Sequence, residues 1–128
     1  MADFKSALTR LQESHQRSLE FRGTNEFSFY RDSTIQRFEF TFEIAWKSIK
    51  VFLLEVEGVE CRSPKSCIRE FFATTHLDEA QVLTMLEMVD NRNLATHTYH
   101  EALADEIFDD IGHYVPLFIF VYNELANA

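Results

Sequence analysis

Between Ile35 and Val56 the apolar residues Ile35, Phe38, Phe42, Ala45, Ile49, Phe52 and Val56 recur at steps of 3, 4, 3, 4, 3 and 4. An α-helix gathers residues at these steps on one face, because its turn of about 3.6 residues brings positions three and four apart together. A strand, with its period of two, would scatter them over both faces. A second apolar stripe, Phe40, Ile44, Val51 and Leu54, runs beside the first, which Trp46 and Leu53 widen. A helix that is apolar on more than one side is buried on more than one side. In a chain of 128 residues the extra face most simply meets a second subunit. Glu43 and Lys47 stand at the favourable i,i+4 spacing, and Gly58 supplies the stop.

The rest of the chain reads as helices built around this one. Asp3 is a candidate N-cap for a first helix whose apolar face is Phe4, Leu8, Leu11, His15 and Leu19, ended by Gly23-Thr24-Asn25. On that face His15 is read as a core or seam histidine. Ser63-Pro64 is a capping serine followed by a proline at the first helical position. It opens a short helix with Ile68, Phe71 and Phe72, running to about Thr75. Asp78 caps a further helix with Val82, Met85, Leu86 and Val89 facing inward. The last helix begins at His100 or Glu101 and carries Leu103, Ile107, Ile111, Phe118, Val121 and Leu125. Gly112 and Pro116 are expected to bend it, since Pro116 removes a backbone donor. The expectation is one all-α domain over residues 1–128: an antiparallel, up-down four-helix bundle with a short extra helix, dimerising.

Composition narrows the function. Only three glycines and two prolines leave few tight turns, which suits long helices. Twelve Lys and Arg face 21 Asp and Glu, a net charge of −9, so the chain as a whole repels nucleic acid at long range. RNA binding must then come from a local basic patch or a cleft. Cys61 and Cys67 form no CxxC pair and no zinc-ligand set, and are expected as reduced thiols in a cytoplasmic protein. The opening Met1-Ala2-Asp3-Phe4-Lys5 lacks the apolar run of a signal peptide. The run from Val115 to Tyr122 is too short to span a bilayer, so no membrane partner is expected.

Chemistry concentrates in Asp90-Asn91-Arg92-Asn93-Leu94-Ala95-Thr96-His97-Thr98-Tyr99-His100, late in one helix and in the turn to the next. The plain reading is a polar helix end satisfying its last carbonyls. The other reading is phosphodiester chemistry. An arginine neutralises phosphate with its planar fork, and a histidine gives or takes a proton near neutral pH. Arg92 would stabilise charge on the phosphoryl oxygens while His97 handles the proton of an attacking 2′-OH. Five residues apart, the two lie roughly 140° apart on a regular helix. They converge only if the helix loosens between them or if two copies meet. Asp90, Asn93 and Thr96 are supporting polar residues.

Two other clusters are weaker. Asp105, Asp109 and His113 follow i, i+4, i+8, a spacing open to a metal. Glu106 and Asp110 run alongside, so the region reads as an acidic face favoured by the helix dipole. Glu39 and Glu43 are read as partners of Arg37 and Lys47. No metal and no cofactor is expected.

Arg92-x4-His97-x-Tyr99 resembles the Arg-x4-His-x-Tyr signature of HEPN-superfamily proteins of the HepT type. Ile35 to Lys47 (Ile-Gln-Arg-Phe-Glu-Phe-Thr-Phe-Glu-Ile-Ala-Trp-Lys) is similar to the second-helix signature of nucleotidyltransferase substrate-binding proteins within that group. Ser63-Pro64 with Ile68-Arg69-Glu70, and Asp90 to Tyr99, continue the likeness, which covers about Ala7 to Tyr122. The resemblance implies a dimerising helical bundle encoded beside a minimal nucleotidyltransferase, as in a toxin-antitoxin pair. It implies a metal-independent endoribonuclease with Arg92 and His97 as the catalytic pair. Tyr99 would be the tyrosine to which the partner adds AMP. It equally admits a non-catalytic subunit that binds substrate for the nucleotidyltransferase.

Overall fold

Glycine-marked stops, capped starts and one 3-10 turn separate five α-helices among the described residues. The computed structural model describes residues 1–75 and 77–127. The helices are α1 (Ala2–Glu20), α2 (Phe27–Glu57), α3 (Pro64–Thr74), α4 (Glu79–Leu94) and α5 (Glu101–Ala126). A 3-10 turn, Ala95–His97, lies between α4 and α5, and no strand occurs among the described residues. The long helices α1, α2, α4 and α5 form the antiparallel bundle, with α3 as the short extra helix. None of the described helices is long and apolar enough to cross a membrane.

α2 is the central element: it packs against α1, α3, α4, α5 and the 3-10 turn. Its seam is the reason. Ile35, Phe38, Phe42, Ala45 and Ile49 are all buried, and Leu53 joins them. Each large side chain so removed from water contributes roughly 1.5–3 kcal/mol. Phe38 stacks on Tyr114 of α5, with ring centroids 5.6 Å apart. Phe4 of α1 meets Phe118 and Tyr122 edge-on. Gly58 closes α2 with a φ of 67°, which admits glycine without strain, and Val59 N–H then donates to the Leu53 carbonyl at 2.8 Å. Ser63 and Ser66, and Asp78 and Gln81, form reciprocal caps at the starts of α3 and α4.

The structure departs from the sequence expectations in several places. α1 starts at Ala2 with Met1 as its cap, so Asp3 lies in the first turn, where the helix dipole still favours a carboxylate. Leu19 is exposed, and the α1 face toward α2 is instead completed by buried Ser14 and Ser18. Their hydroxyls meet Thr34 at 2.6 and 2.8 Å, so these polar groups are paired within the interface. α2 begins at Phe27, roughly two turns before the seam. The seam also fades at its end, where Phe52 is only partly buried and Val56 is exposed. Cys61 and Cys67, expected as free thiols, are joined in a disulfide. The Ser63-Pro64 start of α3 folds Cys67 back over Cys61, Cα to Cα 5.2 Å, and both are buried. His15 packs over Gly112, its Nε2 3.4 Å from the place a Cβ would occupy, an ordinary van der Waals separation. His15 also lies against the Phe108 ring, and burial followed by nearby Arg22 lowers its pKa.

Candidate functional site

Neighbouring residues on α4 point about 100° apart, and the polar stretch uses this to serve two helices. Asn91 faces α5, where its Nδ2 donates to Tyr114 Oη at 2.7 Å and to Asp110 Oδ2 at 2.9 Å. Burial of the Tyr114 ring, helped by Glu87 and Asp110, raises that phenol well above its ordinary pKa. Asn91 is thus a clasp between α4 and α5. Arg92, one step on, faces α2, and its Nε donates to Glu43 Oε1 at 3.1 Å. Glu43 Oε2 accepts from Trp46 Nε1 at 3.3 Å and faces Lys47 Nζ at 3.7 Å.

The helix does loosen between Arg92 and His97. α4 ends at Leu94, and the 3-10 turn takes over at Ala95, the one buried residue of the turn. His97 emerges exposed, with Nδ1 3.3 Å from Tyr99 Oη. Tyr99 is 72% exposed and lies against the His100 ring. Among the described residues no hydrogen bond joins Arg92 to His97; each has its own partner. Of the supporting residues, Asp90 pairs with Lys65 Nζ at 3.0 Å, tying α4 to α3. The exposed Thr96 hydroxyl caps the carbonyl of Asn93 at 3.2 Å.

The expected partners of the α2 carboxylates are redistributed. Glu43 does take Lys47, but Arg37 donates to the Arg10 carbonyl at 3.0 Å, away from Glu39. Glu39 lies near Arg92 and feels two opposed effects: burial raises its pKa and is the larger, while the arginine lowers it. A salt bridge between residues 49 apart in the chain has no short-range signature, so Glu43 as partner of Arg92 was invisible in the spacing. Its only hint was a glutamate on the flank of a helix otherwise committed to apolar contacts.

The two aspartates of the α5 trio are paired with arginines. Asp105 pairs with Arg31 Nη1 at 2.9 Å and Asp109 with Arg22 Nη2 at 2.6 Å, while His113 is exposed. Arg31 is itself buried and also holds Glu101 at 2.6 Å and Asp32 at 3.0 Å. Among the described residues no group of three or more His, Cys, Asp and Glu is placed to hold a metal.

The outer side of α2, opposite its seam, carries the second stripe. Phe40, Val51 and Leu54 of that stripe are more than half exposed, as is Phe29, whereas Ile44 is half-buried against the core. α1 flanks this ridge on one side, through Thr41 Oγ1 donating to the Ala7 carbonyl, and Arg92 flanks it on the other, through Glu43. A groove of about 530 Å³ opens beside it, lined by Arg10, Arg37, Phe40, Glu43 and Ile44 among others.

Known proteins bear on this arrangement. A family model described as nucleotidyltransferase substrate binding protein like matches residues 1–127. Among solved structures, a protein from Thermus thermophilus is similar, at 38% identity and a TM-score of 0.85 over 95% of this chain and 98% of that one. No curated protein matches the sequence.

Proposed function

The chain belongs to the nucleotidyltransferase substrate binding protein like family, and from that premise we propose that it is the partner of a separately encoded minimal nucleotidyltransferase and a metal-independent endoribonuclease. The observation that carries this reading is the pairing of an exposed His97–Tyr99 couple with an arginine that, among the described residues, is held through Nε, all close to the end of α4. Arg92 offers its outer guanidinium edge to a phosphate. His97 removes the proton of the 2′-OH. The 2′-oxygen bonds to phosphorus as the bond from phosphorus to the 5′-oxygen breaks. The leaving 5′-oxygen takes a proton from a protonated imidazole. The products are a 2′,3′-cyclic phosphate and a 5′-OH.

The apolar ridge of α2 supports assembly of two copies, since exposed apolar patches of this kind mark interfaces. Because Arg92 flanks that ridge, a two-fold contact along it would bring two arginines and two histidines to one cleft. The cleft would answer the charge objection: an acidic chain acts on RNA through a local cationic site.

The test is cleavage of single-stranded RNA by the purified protein in the presence of a chelator. Wild type is expected to cut, with 2′,3′-cyclic or 3′-phosphate ends, and to leave DNA uncut because it lacks the 2′-OH. Arg92→Ala and His97→Ala should each lower the rate by about 100-fold or more. Both should keep the fold, at a cost within ~1 kcal/mol. Cleavage that persists in His97→Ala, or that needs Mg²⁺, would falsify the mechanism.

A second reading is favoured by the family description and by the open groove beside Phe40 and Glu43. In it the chain is a non-catalytic subunit that binds substrate for the nucleotidyltransferase. It predicts no RNA cleavage, and nucleotidyltransferase activity that depends on adding this protein.

A further inference from the structure

We propose that Glu43 is a positioning residue for Arg92: it holds the guanidinium by Nε and leaves the Nη1–Nη2 edge for a phosphodiester. What Arg92 binds rests on the ribonuclease reading above; how Arg92 is held rests on geometry alone.

Arg92 leaves α4 only two residues before the helix ends. A side chain this long carries about 2 kcal/mol of rotamer freedom, and a phosphate contact that must first find its rotamer is a poor one. Glu43 stands far from either end of α2, and its own position is fixed. Oε1 takes Arg92, while Oε2 takes Trp46 Nε1 and faces Lys47. Trp46 in turn packs against the core, which ties the carboxylate to the centre of the bundle.

The atoms used separate positioning from competition. A carboxylate that blocked phosphate binding would take the bidentate edge of the guanidinium, the geometry that phosphate itself uses. Glu43 instead contacts Nε at 3.1 Å. The side chains of Arg92 and Glu43 are 28% and 34% exposed, so the pair is only partly screened and Arg92 keeps contact with solvent. Glu39 also lies near Arg92, but the hydrogen-bonded contact at Nε is made by Glu43.

A merely structural tie between α2 and α4 would predict lost stability and nothing more. The experiment uses the full chain as wild type, Glu43→Ala and Glu43→Gln, with helicity measured for each. Steady-state cleavage of a short single-stranded RNA is read as kcat and KM. In 15N-arginine-labelled protein, hydrogen exchange at Arg92 Nε–H is followed by NMR, the resonance being identified by its loss in Arg92→Lys. Glu43→Ala should lose up to about 100-fold in kcat, with KM changed by no more than about threefold. Its Arg92 Nε–H should exchange faster than in wild type. Glu43→Gln keeps an acceptor oxygen and should recover most of the kcat. If the alanine variant does not fold, the glutamine variant decides by the same signs at smaller size. An unchanged kcat, a loss confined to KM, or equal Nε–H exchange in wild type and variant would overturn the proposal. If wild type cuts no RNA, the ribonuclease reading fails, and the exchange measurement still decides whether Glu43 holds Arg92.

Discussion

His97 Nδ1 lies 3.3 Å from Tyr99 Oη, so the motif's imidazole and its phenol share one contact. Esterifying that phenol takes away its hydroxyl hydrogen and places a phosphate beside the imidazole. With 72% of its surface open, Tyr99 is accessible to a modifying enzyme. Co-expression with the proposed nucleotidyltransferase partner is therefore expected to add AMP to Tyr99, read by mass spectrometry, and to silence cleavage. Tyr99→Phe should abolish the mass shift. An unmodified Tyr99 in a neutralised complex would leave steric inhibition as the surviving account.

The ridge of Phe29, Phe40, Val51 and Leu54 on α2 makes an equally direct prediction. In sedimentation at micromolar concentration the protein should run as a dimer. Phe40→Glu places a charge in the middle of the apolar contact and should give a folded monomer, because Phe40 is already 57% exposed within one copy. If the cleft needs two copies, cleavage falls with the dimer. A wild-type monomer at that concentration would remove the interface argument.

How much of this was legible beforehand depends on the range of each interaction. The seam of α2 as far as Ile49, the caps at Ser63 and Asp78 and the stop at Gly58 follow from local periodicity and turn chemistry, and these stand in the structure. Roughly 140° apart on a regular helix, Arg92 and His97 could converge only if the helix loosened between them or if two copies met; a 3-10 turn does follow Leu94, yet each residue keeps its own partner within one copy. What could not be read were contacts across long stretches of chain: Glu43 with Arg92, Asn91 with Tyr114, and Arg31 with Glu101 and Asp105. Spacing within one helix says which residues share a face, but not which charged residue of another helix that face will meet. The hydroxyl cluster of Ser14, Ser18 and Thr34 escaped for a related reason: buried serines look polar in the sequence and are paired only once α1 and α2 have met.

Arg31 should be the costliest polar residue to lose. It is 2% exposed and bonds three carboxylates, Asp32, Glu101 and Asp105, joining α2 to the start of α5. Arg31→Met keeps much of the packing volume and removes the charge-assisted bonds. The carboxylates can return to water, so the expected loss is about 1–3 kcal/mol in denaturant unfolding. A loss below ~0.5 kcal/mol would show the cluster to be neutral, as some buried ion pairs are.

The same cluster sets an acid response. The hydrogen bond from Arg31, and then its charge, hold the Glu101 pKa below its ordinary value. A carboxylate depressed in the folded state contributes stability that is present above the unfolded pKa. That contribution is lost as pH falls through the depressed folded value. Glu101→Gln should therefore be less stable than wild type at neutral pH, and the two should converge in acid. A difference that persists unchanged below the carboxylate range would assign the effect to packing instead of charge.

Glu39 should behave with the opposite sign. Burial raises its pKa more than Arg92 lowers it, so the folded protein binds that proton more tightly than the unfolded chain does. Stability is therefore reduced at a pH above the folded pKa, where Glu39 must be charged in a poorly solvated place. It recovers as pH falls through that value toward the unfolded one. Glu39→Gln removes the charge and should stabilise the protein at neutral pH. The side chain is only partly buried, and solvent screening keeps the gain within ~1 kcal/mol. The advantage should vanish in acid, where wild-type Glu39 is protonated. Arg92→Ala supplies the cross-check: without the arginine the lowering influence is gone, so Glu39→Gln should gain more in that background than alone. Equal gains in both backgrounds, measured by a double-mutant cycle, would show that Glu39 and Arg92 are not coupled.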